Sequence, residues 1–251
     1  MQFGGVTLHS FNGPNSIQLF NEPAKSPELH LHFIAVSSIN AALKSGKLTA
    51  VLNEGISIID SKPLELALRL LGFKCNNLRG TDFLRLAIKS DQGEKRHFLI
   101  GSTSESLEKI RIKAKLINPK FQIVGTISPS FRQHFEEDYP EWSAQFSQSQ
   151  ANVVWIGLGS PKQDFLAYDL TNRFGIRTVA VGAAFDFFSE SVKEAPLIMQ
   201  RMSLEWLFRL LTEPKRLWKR YLLGNLYFLI KFITLFVKLK FKQGLGLPRK
   251  L

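Results

Sequence analysis

Cysteine is almost missing: the 251 residues contain one, Cys75. A lone thiol cannot close an intrachain disulfide, and the composition suits a reducing compartment. The N-terminal stretch Met1-Gln-Phe-Gly-Gly-Val-Thr-Leu-His-Ser10 has neither a basic n-region nor an apolar h-region. No secretion signal is read there, and the expected membrane encounter is from the cytoplasmic side. No GxxxxGK[ST] segment and no well-placed GxGxxG occur, which disfavours a P-loop nucleoside triphosphatase and an ordinary dehydrogenase. No DxD triplet is present to hold a divalent ion on a diphosphate, and His30 and His32 read as strand residues rather than ligands. Neither metal nor cofactor is therefore expected. Acids are scarce in one region above all. From Arg201 to Leu251 there are two, Glu205 and Glu213, against twelve Lys and Arg, so +10 of the formal +12 charge lies in the last fifth of the chain.

What that region does contain is apolar. The run Tyr221 to Val237 is nearly all Leu, Ile, Phe, Tyr and Val, and Lys238, Lys240 and Lys242 follow at once. At helical spacing, Arg220, Gly224, Tyr227, Lys231, Thr234, Lys238 and Lys242 form one narrow polar stripe, and such a helix needs apolar surroundings on three sides. Lys231 interrupts the roughly 20 apolar residues that a span requires, so the helix is expected to lie in the interface plane of an anionic membrane. A core helix of a globular domain and a true span are the competing readings. Nucleic acid is disfavoured as the partner, because the lysines interleave with Leu, Phe and Ile rather than with polar residues.

Without the tail the charge is +2, that of an ordinary soluble enzyme. Arg96–Gly101, Phe121–Val124, Val153–Gly157 and Thr178–Val181 read as strands, with Leu48–Leu52 as a further one. Helical stretches at Leu64–Leu71, Ser104–Leu116 and Gln163–Phe174 lie among them. This alternation predicts an α/β fold, a parallel sheet with helices on both faces, over residues 1–198, with a basic helical appendage over 199–251. The segment Phe135–Gln150 reads as a surface helix and loop. Several strands end in glycine, at Gly101, Gly125, Gly157 with Gly159, and Gly182. Glycine admits a phosphate to the backbone and the next helix offers free N–H groups, so aligned glycine ends favour a nucleotide crevice over tight turns alone.

The segments Gly157-Leu-Gly-Ser-Pro-Lys-Gln-Asp164, Val181-Gly-Ala-Ala-Phe-Asp186, Ala195-Pro196, Leu204-Glu-Trp-Leu-Phe-Arg-Leu210, Glu213-Pro-Lys-Arg-Leu-Trp-Lys-Arg-Tyr221 and Gly224-Asn225 occur in that order. Together with Leu52-Asn-Glu-Gly-Ile56 and Leu78-Arg-Gly-Thr-Asp-Phe83, they resemble the motifs of the WecG/TagA/CpsF glycosyltransferases, family 26. The resemblance implies a Rossmann-like body, a UDP-sugar donor, a polyprenyl-diphosphate-linked acceptor, inversion at the anomeric carbon and no metal requirement. It also implies a C-terminal appendage that docks on the membrane, at the cytoplasmic face of the inner membrane, and lends arginines to the site. Carried over by position, Glu54 stands for the family's aspartate as general base, and Ser37 and Ser38 lie closest to its acceptor-side motif. Arg209, Arg216 and Arg220 would clamp the departing diphosphate. Gly101, Gly157, Gly159, Ser160, Gln163, Gly182 and Asp186 would hold the donor. Ser160-Pro161 also suits a plain helix start. The competing reading, suggested by Glu in place of Asp, is a catalytically silent scaffold on the membrane.

Overall fold

A computed structural model of the protein describes residues 1–11, 13–21, 29–130 and 135–244. Arg249 and Lys250 lie outside the described residues.

The chain opens with a short antiparallel pair, β1 (Gln2–Phe3) and β2 (Val6–Thr7), and helix α1 (Gly13–Asn21). Six parallel strands follow: β3 (His30–Ile34), β4 (Ile56–Ile59), β5 (Arg96–Gly101), β6 (Gln122–Ile127), β7 (Val153–Gly157) and β8 (Arg177–Ala180). They pair in the order β4-β3-β8-β7-β5-β6. Between them run α2 (Val36–Ala42), α3 (Gly46–Glu54), α4 (Lys62–Leu70), α5 (Gly80–Ser90), α6 (Ser104–Ile117), α7 (Tyr139–Ser149) and α8 (Lys162–Phe174). After the sheet come α9 (Ala184–Phe188), α10 (Leu197–Arg201), α11 (Glu205–Thr212), α12 (Pro214–Trp218), a π-helical turn (Lys219–Leu223) and α13 (Gly224–Gly244).

Strands β3, β4 and β8 are buried at every residue, as befits parallel strands covered on both faces. The period of two sorts their side chains. Leu31, Phe33, Ile56, Ile58, Trp155 and Val179 enter one core with α5 and α6, while Ile34, Ile59, Val154 and Ile156 face the other side. On that other side sits a buried polar chain: His30 Nδ1 lies 2.8 Å from His32 Nε2, and His32 Nδ1 lies 2.9 Å from an Asp164 carboxylate oxygen. It ties the start of α8 to β3, so the two histidines serve the strand.

One element differs from the sequence reading. Leu48–Leu52, expected as a strand, belongs to helix α3, because Ser45 Oγ accepts from Leu48 N and caps the turn. An apolar run of five residues satisfies either period, and the cap decides it. The segment Phe135–Gln150 is a surface helix as expected, but an amphipathic one: Glu141 and Gln148 are exposed, while Phe135, Tyr139, Trp142 and Phe146 are buried against β5 and β7.

In the tail, α13 divides into three faces. Phe228, Phe232, Leu235 and Phe236 pack on the core around α2 and the N-terminal strands, with the Phe228 ring tilted against Phe3 at 5.5 Å between centres. Full burial of a Phe or Leu side chain is worth about 1.5–3 kcal/mol, so Phe228, the one fully packed of the four, contributes most to the docking and the partly buried three contribute less. Opposite, Leu226, Leu229, Ile230, Ile233 and Val237, continued by Leu222 and Leu223 of the preceding π-helical turn, are all at least half exposed. Tyr227, Lys231, Thr234 and Lys238 lie along one flank, while the placement of Lys240 and Lys242 side chains is outside what is described. The apolar surroundings expected on three sides are thus supplied on one side by the protein itself.

Candidate active site

A cavity of about 880 Å³ opens over the carboxyl ends of the strands. All six strands of the sheet contribute: Ala35 follows β3, Asp60 follows β4, Ser102 follows β5, Ser128 follows β6, Gly157 to Gly159 end β7, and Val181 and Gly182 follow β8. This is the crevice where open parallel sheets bind ligands. The appendage closes it from outside with Trp206, Arg209, Arg216, Arg220 and Tyr221.

The expected donor residues are mostly there, in altered roles. Gly101 and Gly157 are glycines for packing: a Cβ on Gly101 would meet the Gly157 carbonyl at 2.5 Å, and one on Gly157 would meet the Phe185 ring at 2.5 Å. Gly101 itself does not line the cavity. Gly159, by contrast, has φ +78° and open space beside it, the arrangement that lets a ligand approach the backbone. Gln163 is buried and already engaged, its Oε1 accepting from Gly159 N at 2.9 Å and its Nε2 donating to Ala180 O at 3.2 Å. Its first duty is to hold the Gly157–Gln163 loop and β8 in register. Ser160 lines the cavity, and its Oγ is buried with no hydrogen-bond partner. Gly182, φ +62°, lies against the Gln163 amide. Asp186 accepts from Ser102 Oγ at 3.2 Å, and burial pushes its pKa up.

Glu54 is elsewhere. It ends α3, two residues before β4 begins, and is exposed, where its carboxylate accepts from Tyr168 and pushes the phenol's pKa up. At about 3.3 Å per strand residue, the length of β4 puts it on the order of 15–20 Å below the cavity. The assignment of Glu54 as base is therefore corrected. The acid that follows β4 into the cavity is Asp60, whose Oδ1 accepts from Gly80 N at 2.8 Å. Burial raises its pKa to about 6, helped by the charges of Glu205 and Asp82 and opposed by the Gly80 hydrogen bond and Arg79. A carboxylate tuned near neutrality is what general base chemistry needs.

Ser37 and Ser38 both line the cavity, and Ser37 Oγ accepts from Arg220 Nη2 at 2.7 Å. Asn40, one turn on, donates to Gly224 O at 2.7 Å. These two bonds join α2 to the appendage. Arg209 lies over the Phe187 ring at 5.1 Å with Nε buried and unpartnered, and Arg216 pairs with Glu213. Arg209, Arg216 and Arg220 supply cations suited to a diphosphate, with Glu213 and Asp186 beside the first two, while Asp60, Asp82 and Glu205 gather around Arg79. Sequence reasoning missed Asp60, Arg79 and Glu205. The signal for Asp60 was present in Ile56-Ser-Ile-Ile59, a β-branched run stopped by Asp-Ser-Lys-Pro63. Among the described residues, no group of three or more His, Cys, Asp or Glu is gathered to hold a metal ion.

The model of the WecG/TagA/CpsF glycosyl transferase family matches residues 1–242. Among curated proteins, an N-acetylglucosaminyldiphosphoundecaprenol N-acetyl-β-D-mannosaminyltransferase of Bacillus spizizenii is 29% identical over 203 residues, covering 78% of this chain and 72% of that relative. The protein of the same description from Bacillus subtilis is 27% identical over 176 residues, covering 68% of this chain and 64% of that relative.

Proposed function

Since the chain belongs to the WecG/TagA/CpsF family of glycosyl transferases, we propose that it is an inverting, metal-independent glycosyltransferase of bacterial surface-polysaccharide assembly. It carries a hexose or N-acetylhexosamine-type sugar from a UDP-sugar to a polyprenyl-diphosphate-linked acceptor. The relatives' names favour an N-acetylmannosaminyl group as the sugar and N-acetylglucosaminyl diphosphoundecaprenol as the acceptor. The observation that carries the reading is the strand-end cavity, lined by the half-buried Asp60 carboxylate after β4 and by three arginines of the appendage.

In this mechanism the donor diphosphate lies against Arg209, Arg216 and Arg220 and the Ser160 hydroxyl. Asp60 takes the proton of the acceptor hydroxyl as that oxygen forms a bond to the anomeric carbon. The bond from that carbon to the UDP oxygen breaks, and the charge left on UDP is met by fixed guanidinium groups, which need no reorganisation as it develops. The silent-scaffold reading drew on a glutamate in the place of an aspartate and on a blurred Thr/Asn motif near Ser37 and Ser38; Asp60 at the strand end weighs against the first ground. Calorimetry with UDP tests the donor half: binding should persist in chelator. Gln163→Ala should weaken it about tenfold or more, because the released loop must be ordered by the ligand. UDP binding that disappears with chelator would overturn the metal-free reading.

The acceptor's polyprenyl chain requires a membrane, and the exposed apolar face of α13 supports docking at the cytoplasmic face of one. Leu197 and Ile198 on α10, Met202 just after it, Leu211 and Trp218 are further exposed apolar side chains of this part of the chain. The helical stretch Pro214–Lys238 has a mean hydropathy of 1.4 in its most apolar window, enough by length and composition to cross a bilayer. Its packed face, at Phe228 and its neighbours, favours lying along the surface. A chain ending at Tyr221 should lose flotation with anionic vesicles. The full chain's binding should weaken with salt, at about 1 kcal/mol for each basic residue near the surface. Undiminished flotation of the shortened chain would refute this docking surface.

A further inference from the structure

We propose that Arg79 and Glu205 form a positioning pair that makes the geometry of the Asp60 carboxylate depend on the seating of the appendage. The inference rests on the reading of Asp60 as the base. Arg79 stands at the N-cap of α5, and the next residue, Gly80, donates its N–H to Asp60. Gly80 has no freedom to retreat: a Cβ there would lie 2.8 Å from Val181 O, so its backbone is wedged between Asp60 and the exit of β8. The Arg79 side chain turns the other way, into the appendage. Its Nη1 donates to Gln200 Oε1 at 2.8 Å, and its Nε and Nη2 lie 3.2 and 3.3 Å from the two carboxylate oxygens of Glu205. Glu194 and Asp82 stand farther off, at 3.5 and 3.7 Å, and the guanidinium lies 5.9 Å from the centre of the Phe187 ring.

One residue's backbone step thus separates the hydrogen bond that orients the base from the forked ion pair that holds α11. Glu205 and Arg209 lie one helical turn apart on α11, so the same short helix presents both an acid and a cation to the cavity. Moving α11 away would withdraw both. Asp60 is faced by Arg79 and Asp82 from the start of α5, by Glu205 from α11 and by Arg220 from the π-helical turn. The two members of the pair act on it with opposite sign: the Arg79 cation favours the ionised carboxylate and the Glu205 anion favours the protonated one.

The experiment uses the full chain on vesicles, with kcat measured across pH for Arg79→Gln, Glu205→Gln, Arg79→Lys and the Arg79→Gln/Glu205→Gln double variant. The acid limb of kcat should move to higher pH in Arg79→Gln and to lower pH in Glu205→Gln. Arg79→Lys keeps the charge and loses the fork, so its limb should stay while kcat falls on the order of 10-fold through misplacement. The double variant should lose no more than the worse single one, as expected of groups acting as a unit. KM for the donor should stay within about twofold throughout. Limbs that do not move, or that move together, would overturn the proposal, as would a rise in donor KM at unchanged kcat. Asp60→Asn run alongside separates the two ideas. If it is inactive while the limbs fail to split, the pair falls and the base stands; if it turns over normally, the base falls. Glu205→Gln is the conservative change at a half-buried site, and it keeps the test open if Arg79→Gln does not fold.

Discussion

Asp60→Asn is expected to lower kcat by about 10²–10⁴-fold, the usual share of general base catalysis, with UDP affinity unchanged. The amide keeps size and an oxygen for the Gly80 N–H, and it removes the proton affinity together with the negative charge. With a pKa raised to about 6, the wild-type base is ionised at neutral pH and protonates as pH falls through that value, so activity should decline below about pH 6. The sign for stability is the reverse. Burial disfavours the ionised form, so the carboxylate costs stability above its folded pKa, and this cost is relieved as pH falls through that pKa. The Asn variant should therefore melt no lower than wild type at pH 7.5. A dead variant that also unfolds early would indicate a structural role, whereas one that is dead but stable indicates chemistry. Glu54→Gln serves as the internal control and should turn over at the wild-type rate, because Glu54 sits at the other end of β4.

Arg209→Ala should cost about 10²–10³-fold in kcat, comparable with removing one fixed donor from a site of developing charge. Its Nε is buried without a partner while its guanidinium is held over Phe187, so a charged donor is pre-positioned at the cavity wall. Arg209→Lys keeps the charge and loses the planar fork, and it should recover only part of the rate. Turnover within about threefold of wild type for the Ala variant would leave the leaving group to Arg216 and Arg220. Arg220 differs in kind: its bond to Ser37 Oγ makes it a strut between appendage and body as well as a cation.

Much of this architecture was legible in advance because strand and helix periods are local. The strands at Arg96–Gly101, Val153–Gly157 and Thr178–Val181, the last shifted by one residue to Arg177–Ala180 in the fold, announce themselves as short, mostly apolar runs, and the alternation with helices implies a parallel sheet. What failed was local in appearance and settled elsewhere. Leu48–Leu52 became a helix through Ser45, and that shifted the expected acid from the end of β4 to its beginning. Had Ile56–Ile59 been read as the strand, Asp60 would have stood at its carboxyl end. The arginines of the appendage were legible from charge and helical spacing, since both are properties of one segment. The Arg79–Glu205 contact was not, because it joins positions 126 residues apart and only the folded chain brings them together. Gly101 and Gly157 show the converse limit: glycine after a strand looks the same in sequence whether it admits a phosphate or a phenyl ring.

The central claim is that the strand-end cavity, roofed by the basic appendage, transfers sugar from a UDP donor to a lipid-linked acceptor. Release of UDP should be measured on anionic vesicles in chelator, with a panel of UDP-sugars and a prenyl-diphosphate-linked N-acetylglucosamine as acceptor. The account predicts release from at least one donor that requires the acceptor, survives the chelator, and disappears in Asp60→Asn but not in Glu54→Gln. Release from no donor with an acceptor that a relative of this family glycosylates, or release that Asp60→Asn leaves intact, would contradict it.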